Sequence, residues 1–298
     1  MNGWDFSIFW HVGQAVLHGQ DPYSIANFFY PLPFAYVLAI FAIFPEQLAF
    51  WLWITFNICI LVYFFRRRFW QWLLYVPVLH LLSAGQLDLF FWALERGISK
   101  TWRGALLAAF ITLKPQVALI LLPWHLLDWL RHDRMMLIRW GVITGAIWGI
   151  PVLLRPDWVN TWLHLTSAGS ADSASNAPSI FSLLKVFPGL WPLIFVPAAI
   201  IFIVTQFQSK EIARAGAMLG SPVGLFYTTM ALIGTAPAIL LVPLSLVAAG
   251  LTLLTSNWIA FGFLPIAVIV WQVRRDRQKT ALDTIRNRSA QPIPATQE

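Results

Sequence analysis

Cysteine, charge and histidine are scarce in this chain, and each scarcity removes a class of function. The single cysteine, Cys59, lies inside an apolar run, so there is no disulfide framework and no thiolate metal site. The histidines are scattered, and His80, His125 and His164 have no spacing that resembles a metal-ligand set, so no metal is expected. Charged residues make up 11% of the 298 positions, where an average soluble chain carries roughly 25%. Acidic residues are the scarcer sign, 13 against 20 basic ones, for a net charge of +7. The basic residues nevertheless sit in short clusters between apolar runs. That is the positive-inside pattern of a membrane protein and excludes nucleic acid as the expected partner. The first residues carry no basic stretch followed by an apolar core, so no cleavable signal peptide is expected. What is abundant is apolar and aromatic: 58% hydrophobic residues, 17 Trp and 23 Phe, with a mean hydropathy of +0.68.

The apolar runs predict an all-α polytopic membrane domain over residues 31–272, with about eight to ten helices. Several runs are shorter than the roughly 20 residues a crossing needs. The run beginning at Phe69 is interrupted at Ser83-Ala84-Gly85-Gln86, and the run from Ala105 to Leu122 carries Lys114-Pro115-Gln116 in its middle. Glycine loosens a helix and proline removes a backbone donor, so such breaks persist at membrane depth only where protein or a water-filled cavity satisfies the freed groups. Broken helices with polar tips commonly face a binding site. The basic clusters Arg66–Arg68, Arg96–Arg103, Arg131–Arg139, Lys210–Arg214 and Arg274–Lys279 are expected on the cytoplasmic side. Strict alternation of full spans cannot put them all there. Either one cluster is external, or some runs are half-helices that return to the side they came from. The polar stretch 155–179 reads as an external loop, and the basic tail 273–298 as disordered.

A polar island over residues 1–30 precedes the membrane domain. It holds Trp4-Asp5-Phe6, then Leu17-His18-Gly19-Gln20-Asp21-Pro22-Tyr23, then Phe29-Tyr30-Pro31. Phe6, Phe9, Trp10, Gly13, Val16 and Leu17 recur at helical spacing, so the stretch after Trp4 reads as an amphipathic interfacial helix. Asp21-Pro22-Tyr23 reads as a turn. A carboxylate here stays in contact with water, which makes Asp5 the first candidate for a general base. Its competing role is a helix N-cap. Asp21 is the reserve base, or a turn residue at the rim. Tyr23 and Tyr30 are candidate aromatics of the site's rim, although aromatics are expected at membrane interfaces anyway. Lys114, ionisable and deep within an apolar run, is a functional candidate by its position. Asp88 is either a site residue or the ion-pair partner of Lys114.

At these residues the chain resembles glycosyltransferase family 87 of the GT-C superfamily, the group that includes polyprenol-phosphate-mannose-dependent mannosyltransferases. The resemblance rests on the Asp5-Phe6 pair, the Leu17-x-Gly-x-Asp-Pro-Tyr23 motif and Tyr30-Pro31. It continues through Gly85-Gln86-Leu87-Asp88, Leu113-Lys114-Pro115-Gln116, and Asn176-Ala177-Pro178-Ser179 with the apolar residues that follow. It covers about residues 5–184. The chain departs from the family's pattern in having only four residues up to Trp4 where members usually have a transmembrane helix. It also has no histidine after His164 to serve in the later Ser-Pro…His motif.

The resemblance implies an inverting hexosyltransferase, mannose being the expected sugar, in the cytoplasmic membrane of a prokaryote with its cavity facing outward. The donor would be a polyprenyl-phosphate sugar and the acceptor a lipid or glycan hydroxyl, with membrane lipids as surroundings and no cofactor. Asp5 would take the acceptor proton. Lys114 with Gln86 and Gln116 would meet the leaving phosphate. Asp21, Tyr23, Tyr30, Asp88, Asn176 and Ser179 would line the substrate site. Two competing expectations stand beside this one: a transporter or flippase for a lipid-linked or small polar solute, compatible with broken helices and a buried lysine, and a truncated, inactive family member.

Overall fold

The computed structural model describes residues 3–175, 177–185, 187–222, 226–255 and 258–289. Among them the structure is all-α, without strands. The helices are α1 (Trp4–Leu17), α2 (Leu32–Ala42), α3 (Glu46–Phe65), α4 (Phe69–Leu73), α5 (Val76–Ala84), α6 (Asp88–Arg96), α7 (Trp102–Ile111) and α8 (Pro115–Leu121). They continue with α9 (Pro123–His132), α10 (Arg134–Leu154), α11 (Trp158–Ser175), α12 (Trp191–Thr205), α13 (Lys210–Gly220), α14 (Ala238–Thr255) and α15 (Phe263–Ser289). Four helical stretches of the described residues are long and apolar enough to cross a membrane: Glu46–Leu73, Arg134–Leu154, Ala238–Thr255 and Trp258–Asp283. The α5–α6 pair makes a fifth if it is taken as one bent span. The chain is a polytopic membrane protein, as the apolar runs predicted. It has more helices than runs because the runs are broken.

The breaks organise the fold into three hairpins that start and finish at one end. The first leaves at Phe65 and returns at Trp92, whose rings stack at 5.8 Å. Between them α5 and α6 meet at 116°, turning at Gly85, which caps α5 in the left-handed region at φ 73°. The second comprises α7 and α8. It leaves six residues after Arg96 and returns at His125, whose Nε2 lies 2.8 Å from Glu95 Oε1. Its tip at Thr112–Lys114 is deep, since Thr112 Oγ1 accepts from Trp148 Nε1, far along α10, at 2.9 Å. The third rises through α13 and returns along the 3-10 stretch Phe226–Leu232. Arg214 donates to the Ala231 carbonyl at 3.1 Å, and Arg96 to that of Ile233 at 3.4 Å, so its two limbs end beside the first hairpin. Small residues let α13 approach α12 closely: a side chain at Gly220 would meet the Ala198 carbonyl.

Glu95 is the common anchor at that end. The buried carboxylate contacts His125, Arg214 at 2.8 Å, Lys210, and Arg96 at 4.0 Å. Thus α6, α9 and α13 are tied at one point. At the opposite end Arg155, just beyond α10, grips Asp21 through two guanidinium nitrogens, both at 2.9 Å. Trp162 donates to the Phe29 carbonyl at 3.0 Å.

Two stretches differ from their sequence reading. Residues 158–175, expected as part of an external loop, form α11. The expected disordered tail continues α15 as far as Ser289, because residues 273–289 contain neither proline nor glycine to stop a helix.

Candidate active site

The N-terminal helix delivers its carboxylate to the hairpin tips. Gly3 is the N-cap of α1, and Asp5 sits inside the first turn without a capping bond, so the competing cap role is not what the side chain does. The α1 N-terminus lies directly on the α5–α6 turn. A side chain at Gly3 would overlap the Ala84 carbonyl, and one at Gly85 would come within 2.5 Å of the Phe6 Cβ. Only glycines at both positions allow this approach, and it places Asp5 beside Gln86.

From there a hydrogen-bonded chain runs inward. Gln86 Nε2 donates to Asp5 Oδ2 at 2.6 Å and to the Tyr227 hydroxyl at 3.2 Å. Lys114 Nζ donates to Gln86 Oε1 at 2.8 Å and to Asp88 Oδ2 at 2.6 Å. The ammonium also lies 5.7 Å from the Tyr30 ring and 5.6 Å from that of Tyr227, within cation–π range. Trp53 of α3 fixes the Gln86 backbone through its carbonyl at 3.3 Å. Each hairpin contributes from its tip: Gln86 and Asp88 from the first, Lys114 from the second, Tyr227 from the third.

Lys114 is fully enclosed, and Asp88 and Gln86 nearly so, whereas Asp5 is half-exposed at the head of the chain. Asp5 Oδ1 has no hydrogen bond among the described residues. Burial holds the Asp5 carboxyl above its ordinary range, against the lowering effects of the Gln86 hydrogen bond and the Lys114 charge. A raised pKa makes the carboxylate a stronger proton acceptor. His80 of α5 lies close enough to interact with Asp5, and its ring stacks on that of Tyr227 at 5.8 Å.

The other sequence candidates lie elsewhere. Asp21 caps the 3-10 turn Pro22–Ser24 and pairs with Arg155, which holds its carboxyl below the usual range. Tyr23 donates to the Tyr30 carbonyl at 3.3 Å and so braces the ring that covers Lys114. Gln116 makes no hydrogen bond to the cluster among the described residues. Ser179 is buried and accepts from the Phe181 amide at the start of a 3-10 turn, a local structural role. Asn176 falls outside the described residues. Tyr227, Trp53 and His80 join the site without having been singled out in the sequence. With so many aromatics, nothing marks those two rings, and His80 becomes notable only when its helix is placed against Asp5.

An all-α polytopic membrane protein with a carboxylate at the mouth of a buried polar chain, built where broken helices meet, is the class this fold and site define. The chain belongs to glycosyltransferase family 87, whose family model matches residues 28–207. The match includes Tyr30, Gln86, Asp88 and Lys114 but begins after Asp5 and ends before Tyr227. No curated protein and no solved structure matches the chain. Family membership makes it a glycosyltransferase acting on a sugar donor and an acceptor.

Proposed function

We propose that the protein transfers a hexose, mannose by family resemblance, from a polyprenyl-phosphate donor to an acceptor hydroxyl on a lipid or glycan, at the face of the membrane opposite the basic clusters. The observation that carries this reading is the asymmetry of Asp5: one carboxylate oxygen is held by Gln86, and the other, on a half-exposed side chain, makes no hydrogen bond among the described residues. The acceptor oxygen bonds to the anomeric carbon as the bond from that carbon to the phosphate oxygen breaks. The electron pair leaves with the polyprenyl phosphate, and the hydroxyl proton passes to Asp5 Oδ1. A single displacement of this kind inverts the anomeric centre, by the logic of inverting glycosidases.

Lys114 acts from behind as a positioning residue. It can only donate, so it turns the Gln86 carbonyl toward itself and the amide NH2 toward Asp5. The Tyr227 hydroxyl, accepting from Gln86, keeps its own proton available for an oxygen of the leaving phosphate. Such donors are strong in a dry site. The phosphate is a good leaving group, so the step needs no separate general acid.

The test is sugar transfer in membranes containing the full chain, with a panel of polyprenyl-phosphate sugars. Asp5→Asn should lower the rate by about 10²–10⁴-fold, the usual contribution of a general base, with the protein still inserted at wild-type level. In the wild type the rate should rise as pH rises through the elevated Asp5 pKa, because only the ionised carboxylate accepts a proton, and Asp5→Asn should lose that dependence. Near-normal turnover by Asp5→Asn would remove the base from the mechanism. Transfer from no polyprenyl-phosphate sugar would remove the donor assignment.

A further inference from the structure

An apolar groove of about 690 Å³ opens on the basic end of the molecule, far from the Asp5 site. One wall is the end of α3 with α4, represented by Phe64, Trp70 and Leu74, and the other is the start of α14, with Ile239 and Val242. At the junction of α3 and α4 stand Arg66, Arg67 and Arg68, consecutive in one 3-10 turn and unburied, and Arg68 lines the groove. None of the three makes a salt bridge among the described residues. This contrasts with Arg96, Lys210 and Arg214, which share Glu95. Arg66 holds a positive φ of 48°, uncommon outside glycine, at the turn that carries the three arginines.

An apolar slot lined by Arg68, with two further unneutralised arginines in the same turn, matches a ligand with a hydrocarbon chain and an anionic head. We infer that this groove is a specific site for an anionic phospholipid of the leaflet on the arginine side. One acyl chain would lie between α4 and α14, and the phosphate would sit on Arg66–Arg68. The charge pattern decides the class of occupant. A neutral lipid would fill the slot but leave three arginines unmatched, whereas basic clusters immediately beside membrane helices favour anionic headgroups. The volume lies within the usual range of ligand pockets.

Native mass spectrometry of the purified full chain, titrated with phosphatidylglycerol, phosphatidylcholine of identical chains or a polyprenyl phosphate, tests the proposal. Wild-type protein should retain one phosphatidylglycerol in preference to phosphatidylcholine. A surface arginine contributes about a fivefold gain in affinity, so replacing all three by Gln should erase the preference, while replacing all three by Lys should keep it. Ala238→Trp, which fills the groove, should remove the retained lipid with the arginines intact. Added salt should loosen phosphatidylglycerol but not phosphatidylcholine on the wild type, a readout that needs no variant. Equal retention of the two lipids, salt-insensitive preference, or undiminished binding by Ala238→Trp would each overturn the proposal. So would stronger retention of a polyprenyl phosphate, which would make the groove a donor-tail site.

Discussion

The Gln86 amide is oriented from both sides, and that orientation sets what the neighbouring groups can do. Lys114 has three protons and no lone pair, so the atom facing it is the Gln86 oxygen, and the NH2 is left for Asp5 and Tyr227. Asp88 in turn neutralises the ammonium, with its second oxygen unpartnered among the described residues. Breaking a buried pair by removing one partner costs about 3–5 kcal/mol, because the other charge stays buried. Lys114→Gln should therefore lower the amount of folded protein in membranes. Lys114→Gln with Asp88→Asn should restore that amount without restoring transfer, because nothing then dictates how Gln86 faces Asp5. Expression level and transfer rate, measured on the two single variants and the double, distinguish this from a merely structural pair; full recovery of transfer in the double would make Lys114 structural only. Pairing of Lys114 with Asp88 was half legible in the sequence: a buried lysine needs a partner and Asp88 sits at the other helix break, but the sequence left Asp88 open between a site residue and that partner. Tyr227 was not, because a tyrosine in an apolar stretch looks the same whether it packs against lipid or reaches a site.

Helix breaks, more than helices, position this site. The α5–α6 turn works because Gly85 takes φ 73° and leaves room for Phe6 of α1. Gly85→Ala adds a Cβ 2.5 Å from the Phe6 Cβ and, in addition, strains the left-handed backbone by roughly 1–2 kcal/mol. The α1 N-terminus should shift away from Gln86 and carry Asp5 with it. Thermal unfolding in detergent should show a modest loss of stability, while sugar transfer falls by more than that loss explains; wild-type transfer by Gly85→Ala would mean that the close approach is dispensable. Both this break and the one at Pro115 could be read from residues that do not continue a helix. The third hairpin was passed over. Ala217–Gly234 reads as one apolar run although Gly220-Ser221-Pro222 breaks it, and the contacts of Arg214 and Arg96 with the Ala231 and Ile233 carbonyls show that the chain turns back. Helix α11 was hidden for the opposite reason: polar Ser, Asn and Thr residues favour neither helix nor loop strongly, and its docking against Phe29 lies far off in sequence.

At the scale of the molecule, the hairpins dissolve the conflict between the basic clusters and strict alternation. Each hairpin has two limbs and returns to the end it left, so it adds apolar sequence without a net change of side. The clusters then gather at one end through specific contacts. Arg68 shares a groove with Pro237, Arg96 reaches Ile233, His125 and Lys210 share Glu95, Arg131 lies over the Phe207 ring at 4.6 Å, and Arg277 lines a cavity with Gln208. The Asp21–Arg155 pair marks the other end. Counting α3, α10, α12, α14 and α15 as the crossings puts the N-terminal island and the C-terminal basic stretch on opposite sides, as the positive-inside rule requires. Helix α12 is the shortest of these at 15 residues, about 22 Å of rise, and crosses only if the bilayer thins or its flanks snorkel. In a Cys59→Ser background, single cysteines at Ser24 and Asn160 should react with an impermeant thiol reagent from one side of the membrane. Cysteines at Ser99 and Gln208 should react only from the other. Labelling of Ser24 and Ser99 from the same side would mean that α3 does not cross alone. Labelling of Asn160 and Gln208 from the same side would remove α12 as a crossing, and the shared placement of the basic clusters would then need a different path for the chain between α11 and α13.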